Sequence, residues 1–243
     1  VIETLYPIFR KWSERGSVYI ISDTHFEDKD RKVMGYKITE EDQIKKIKKR
    51  CHKNDTLIHL GDVGNPEYLK DIKAYKILIM GNHDESASKF QKKTTMVDLD
   101  AYSEEEIDLK LESGEIDYVL REFRKPFIRG YKVTGYFDEV YTGPLFIAEK
   151  LLLSHEPIEM RGSETNLPIA INIHGHNHAG PVVKDEWHFN VAQNVYGYEP
   201  LNLKEFIKEG YLRNVKSVHR DTIDKATTNK KHKHYNNHKR RIK

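Results

Sequence analysis

Aspartate, histidine and asparagine gather in this chain at one kind of place, immediately after a short apolar run. Residues 18–22 lead into Asp23-Thr24-His25, 56–60 into Gly61-Asp62, and 76–80 into Gly81-Asn82-His83-Asp84. Residues 151–154 lead into His155, and 169–173 into His174-Gly175-His176-Asn177-His178. Each run reads as a buried strand, and the carboxyl ends of strands are where open α/β sheets keep their chemistry. Carboxylate, imidazole and amide oxygen together suit divalent ions such as manganese, iron or zinc. Cys51 is the sole cysteine, so an internal disulfide and a thiolate-rich zinc cluster are excluded. A carboxylate shared by two ions would bring them to roughly 3.5–4 Å, the clamp used for displacement at phosphorus.

The elements that must position these groups follow from the pattern between them. Leu5, Ile8, Phe9 and Trp12 form a helical stripe in residues 2–15, with Pro7 best placed near its start. Thr39 is a helix cap, followed by Glu40, Glu41 and Asp42 at the positive end, Ile44 and Ile47 facing inward, and Lys and Arg at the negative end. A further helix starts at Pro66. This βαβαβ rhythm predicts a parallel layer with helices outside. Short strands at 139–141, 145–149, 150–154, 169–173 and 187–191 predict a second, mixed sheet. The expected class is therefore α/β, a two-sheet β-sandwich of mixed strands flanked by helices, closing with a last helix over 203–208.

The order D-x-H, GD, GNHD, H, GHxH, with FDEVYTG, KLLLSHEP, INIHGHNH and YGYEPLNL, resembles the calcineurin-like metallophosphoesterase superfamily, and within it the small bacterial and phage phosphoesterases. The resemblance implies that Asp23, His25, Asp62 and His178 hold a first metal. Asp62, as bridge, with Asn82, His155 and His176 holds a second. His83 then contacts the phosphate and helps the leaving group, with Asp84 orienting it. Two divalent ions (manganese favoured, with iron, zinc or nickel as alternatives) would hydrolyse a nucleotide-like phosphomonoester or phosphodiester through a hydroxide bridging them. One departure matters: Gly61-Asp62-Val63-Gly64-Asn65-Pro66 lacks the arginine that ends this motif in many relatives, leaving open what else neutralises the phosphate.

The other histidines read differently. His59 and His174 lie within apolar runs and are packed groups behind the ligands, while His52 and His188 are surface or structural. Residues 85–132 form a polar insertion, helical over 103–112 and 115–125, placed as a surface appendage with a lid role open to it. Its Arg121, Arg124, Arg129 and Lys132 read as a solvated face within reach of a phosphate.

Charged residues make up 33% of the 243, and no run approaches the roughly 18 apolar residues of a membrane span, so a cytoplasmic protein is expected. From Asn214 on there are ten Lys/Arg against two Asp, leaving a mildly acidic body at 1–215 and a basic tail at 216–243, expected to be disordered. Such a tail could bind nucleic acid through counterion release, which makes a nuclease or end-processing phosphatase the alternative function. A non-catalytic scaffold is a third, disfavoured by the full ligand set.

Overall fold

The structure is a computed structural model and describes residues 7–122, 127–161, 169–213 and 215. Helix α1 (Pro7–Ser13) begins at the proline, where a missing N–H costs nothing. It is followed by β1 (Val18–Ile21), α2 (Glu40–Arg50), β2 (Thr56–His59), a 3-10 helix (Pro66–Asp71) and β3 (Tyr75–Ile79). α2 forms as its sequence dictates: Thr39 Oγ1 accepts from Asp42 N at 3.2 Å, acids fill the first turn, Lys48, Lys49 and Arg50 fill the last, and Ile44 and Ile47 are buried.

β1, β2 and β3 pair in parallel. All four residues of β1 are buried, because both faces of the layer are covered. Alternate side chains therefore enter two cores: Val18 and Ile20 pack with Phe9, Trp12, Ile58 and Ile77, while Tyr19 and Ile21 pack with Ile44, Ile47, Leu57 and Leu69.

A short helix α3 (Ala87–Phe90) leads away from β3 into β4 (Lys93–Asp98), α4 (Glu104–Glu112), β5 (Tyr118–Glu122) and β6 (Phe127–Thr134). These strands form a separate antiparallel sheet in the order β4-β6-β5, with α4 on one face over a small core of Leu99, Ile107 and Ile116. The expected first helix of this region is present and closed by a capping box of Ser103 and Glu106. The second is not: residues 118–122 are a strand, whose pairing to β6 overrides a local pattern that reads as helical. Residues 123–126, including Arg124, lie outside the described residues.

The chain returns through β7 (Glu139–Tyr141), which pairs in parallel with β3. It therefore belongs to the first sheet and not, as the sequence rhythm suggested, to the second. The second sheet consists of β8 (Leu145–Ala148), β9 (Leu151–Leu153), β10 (Ile171–His174) and β11 (His188–Asn190), in the order β11-β10-β9-β8 with only β8 antiparallel. After α5 (Gln193–Tyr196), β12 (Leu201–Asn202) pairs antiparallel with β1, and α6 (Leu203–Lys208) packs Phe206 into the core. The first sheet is thus β12-β1-β2-β3-β7. Leu151, Leu153, Ile171, Ile173 and Phe189 of the second sheet share one core with β1, β2 and β3, and this packing makes the sandwich. Among the described residues no helix is long and apolar enough to cross a membrane. Tail residues 216–243 lie outside the described residues.

Candidate metal centre

The parallel strands of both sheets release their chains at one end of the sandwich, and the loops there are stitched together by backbone bonds. Asp23 N donates to Gly61 O at 2.9 Å, His25 N to Asp62 O at 3.1 Å, and Gly175 N to His155 O at 2.9 Å. Asp23, His25, Asp62 and His176 all adopt left-handed backbone, with φ of 54°, 43°, 56° and 64°. That conformation is costly for residues with a Cβ, and it is held because the surrounding bonds over-determine it.

Two glycines make room for the carboxylates. A Cβ on Gly81 would lie 2.3 Å from Asp62 Oδ1, and one on Gly175 would lie 2.0 Å from Asp23 Oδ2. Their absence lets His83 N donate to Asp62 Oδ1 and His176 N to Asp23 Oδ2, each at 2.9 Å. One oxygen of each carboxylate is thereby fixed and the other is turned inward.

The result is two groups of ligand atoms, Asp23 with His25 and His178, and Asp62 with His155 and His176, the members of each lying within 4.8 Å of one another. Asn82 joins the second group, its Oδ1 standing 2.8 Å from His155 Nε2 and 3.1 Å from His176 Nδ1. Asp62 Oδ2 lies 3.5 Å from His25 Nε2 and 3.3 Å from His155 Nε2, so this one oxygen stands between the groups. All seven residues expected as ligands are brought together.

Three imidazoles are oriented from behind. His25 Nδ1 donates to Asp28 Oδ2 at 3.0 Å, His155 Nδ1 to Leu60 O at 2.8 Å, and His178 Nδ1 to Asn194 Oδ1 at 3.0 Å. Each bond places a ring proton on Nδ1 and turns Nε2 toward the site, the orientation of a metal-ligating histidine. Asp23 Oδ1 and His25 Nε2 are buried without a well-formed hydrogen bond among the described residues. An orphaned buried polar atom costs about 1–3 kcal/mol, so these two atoms fit a cation that would satisfy them.

The electrostatics agree. Burial pushes Asp62 upward, but the hydrogen bond and charge of His155 outweigh it and hold the carboxyl at about 2. Burial works against a proton on His155, yet Asp62 and Asp23 carry its pKa up to about 9. The pocket draws positive charge, and a divalent ion held there would take the place of that proton.

His83 and Asp84 take different places. His83 is exposed at the mouth, its ring 5.6 Å from that of His25 and without a hydrogen-bonding partner among the described residues. Asp84 does not orient it. Its carboxylate accepts from Gly81 N at 2.8 Å and from Asp62 N and Val63 N at 3.0 Å each, so it clamps the turn that carries Asp62.

His59 is fully buried, and its environment pushes it down to about 3, chiefly through burial. Its Nδ1 accepts from Gly61 N at 3.1 Å, which leaves Nε2 to donate to Thr24 Oγ1 at 2.9 Å; it braces two ligand loops as a neutral ring. His174 donates Nδ1 to Gly175 O, while His188, buried, donates to Asp185.

Sequence spacing missed Asp28, Asn194, Tyr36 and Arg31. Tyr36 donates its hydroxyl to Asp23 O. Arg31 is 7% exposed and donates to Thr24 O at 2.5 Å, His25 O at 3.3 Å and Gln43 Oε1 at 3.2 Å, with Glu40 at 3.2 Å, tying the first ligand loop to α2. Its one legible signal was its place in a charged loop directly after the first strand-end motif. The insertion's cations are engaged locally: Arg121 with Glu104, Arg129 with Asp98 and Asp100, Lys132 with Asp117.

Comparison with known proteins bears on these groups as a set. No curated protein matches the chain. A crystal structure of a protein of unknown function, AQ665 from Aquifex aeolicus, is similar at 24% identity, covering 79% of this chain and 98% of that one with a TM-score of 0.47. The model of the calcineurin-like phosphoesterase superfamily domain matches residues 17–191, from the start of β1 through the end of β11 and every strand-end motif between them. With well over half its length matched, the chain belongs to the calcineurin-like phosphoesterase superfamily.

Proposed function

We propose that this protein is a two-metal phosphoesterase that hydrolyses a nucleotide-like phosphomonoester or phosphodiester. Membership of the superfamily supports a metal-dependent phosphoesterase in general, and the chain has ligand groups suited to it. The observation that carries the two-ion form is the position of Asp62 Oδ2, between His25 of one group and His155 of the other.

In this reading Asp23, His25 and His178 hold one divalent ion, Asn82, His155 and His176 hold the other, and Asp62 serves both. Manganese is the metal favoured here, with iron, zinc and nickel as alternatives that a mixed oxygen and imidazole set without thiolate also suits. Two such ions supply Lewis acidity toward phosphate oxygens and a lowered pKa for water. The chain's own residues do the rest. The Nδ1 bonds of His25, His155 and His178 keep their rings from turning. Asp84 and Gly81 fix the turn that sets Asp62. His83, exposed at the mouth, would contact a non-reacting phosphate oxygen and deliver a proton to the leaving oxygen.

The test is metal stoichiometry by elemental analysis, together with hydrolysis of bis-p-nitrophenyl phosphate, p-nitrophenyl phosphate and cyclic nucleotides under manganese, iron, nickel, zinc and magnesium. Two equivalents of metal with turnover of at least one ester is the expected outcome. Bound metal with turnover of none of them would turn the reading toward a scaffold.

A further inference from the structure

An open cleft of about 250 Å3 lies beside the metal groups, and Asn82 and His155 form the wall it shares with the candidate metal centre. Its other walls are Met80, Thr142, Pro144, Glu156 and Ile158.

The walls are pinned. Met80 N donates to Tyr141 O at 2.9 Å, joining the ends of β3 and β7. On the far side Asn172, 1% exposed, accepts from Ile158 N at 2.7 Å and donates to Ser154 Oγ at 2.8 Å. A buried amide that satisfies two points of one loop holds the Ile158 wall in place.

Size and charge define the occupant. A cavity of about 150 Å3 accepts benzene, so this one has room for a substituted ring. Among the described residues its lining contains no lysine or arginine, and at the end away from His155 its charged side chain is the carboxylate of Glu156. A second phosphate lying at that end would meet repulsion from Glu156 with no lysine or arginine to offset it.

We infer that this cavity is the subsite for the organic group of the ester, and that it selects phosphate esters of an uncharged, single-ring group over alkyl esters and over substrates with a further phosphate at that position. The inference rests on the phosphoesterase reading for the word ester, but the cavity can be tested without turnover. Its discriminating residues are Ile158, Thr142 and Glu156.

The experiment titrates the manganese-loaded protein calorimetrically with phenylphosphonate, methylphosphonate and pyrophosphate. The wild type is expected to bind phenylphosphonate about tenfold more tightly than methylphosphonate, as burial of one ring allows. Ile158→Trp fills the cavity and should bring that preference to within about twofold while leaving methylphosphonate binding intact. Thr142→Trp fills it from the opposite wall and serves where the first variant does not fold. Glu156→Lys should tighten pyrophosphate.

Equal affinity for the two phosphonates in the wild type, or a phenyl preference that survives both tryptophan variants, would overturn the subsite. Pyrophosphate binding unchanged by Glu156→Lys would overturn the exclusion of a second phosphate. A phenyl preference lost on filling, with no ester hydrolysed, would leave the subsite standing and remove the enzyme reading instead.

Discussion

The ligand-bearing end of the sandwich and the three-stranded appendage at β4–β6 are built on opposite plans. At the first, Asp23 is 0% and His25 1% exposed, and each is fixed by bonds from loops far away in sequence. At the second, Met96 is 59% and Leu120 54% exposed, and the charges pair with near neighbours on the surface. Surface pairs of that kind contribute about 0–1 kcal/mol each. The difference teaches where placement is dictated. Buried polar groups in the ligand loops must all be satisfied together, so a change at one is felt at the others. The appendage rests on three fully buried side chains and can loosen without moving the centre.

The largest effect that tests this contrast is expected from Asp62→Ala. Removing the shared oxygen should lower hydrolysis of bis-p-nitrophenyl phosphate on the order of 10^3-fold or more and reduce bound metal below two equivalents. Full activity in that variant would end the two-group design.

Ile107→Ala in the appendage should destabilise its sheet by about 2–4 kcal/mol, seen as faster hydrogen exchange confined to residues 93–134. Turnover is expected to stay within about twofold, since loosening of this kind need not move the centre. A matching loss of turnover would show that the two regions are coupled after all.

Asp28→Ala leaves every ligand in place but frees the His25 ring. Manganese affinity at the first group is expected to fall about 10–100-fold, measured by titration calorimetry, with the second group retained.

A smaller effect lies at the far end of β3. Lys76 is 5% exposed, donates to Ile72 O at 2.6 Å, and is pushed down to about 8 by burial and then by Lys92. Its folded pKa lies below its unfolded value, so the unfolded chain holds more protons between about pH 8 and 10.5, and stability from this group rises with pH across that window. Lys76→Met should therefore be more stable than the wild type near neutral pH by on the order of 2 kcal/mol, and the gap should close as pH rises through the window. Urea midpoints at pH 7 and pH 10 measure it.

What could be read from the sequence divides along the same line. Strand-end ligands were legible because each follows directly on an apolar run, and local order is enough to find them. α2 was legible from Thr39 and its charge gradient, and Pro66 marked the 3-10 helix. β5 was not, because Tyr118, Val119 and Leu120 sit among charges and their strand state depends on Tyr131, Gly130 and Arg129 of β6. β7 was misplaced for a related reason: the appendage interrupts a parallel order that resumes only at Glu139. Asp28 and Asn194 serve ligands from positions with no motif of their own, and Asp84 carries its motif's spacing but bonds backbone where a ring was expected.

The left-handed backbone at Asp23, His25, Asp62 and His176 has an evolutionary consequence. Glycine would relieve roughly 1–2 kcal/mol of backbone cost at each of those positions, but at Asp23 and Asp62 it would also strip the N–H groups of His176 and His83 of their acceptors. A population selected only for heat resistance would therefore gain little by giving up the carboxylates, because the strain and the bonds that hold it are lost together.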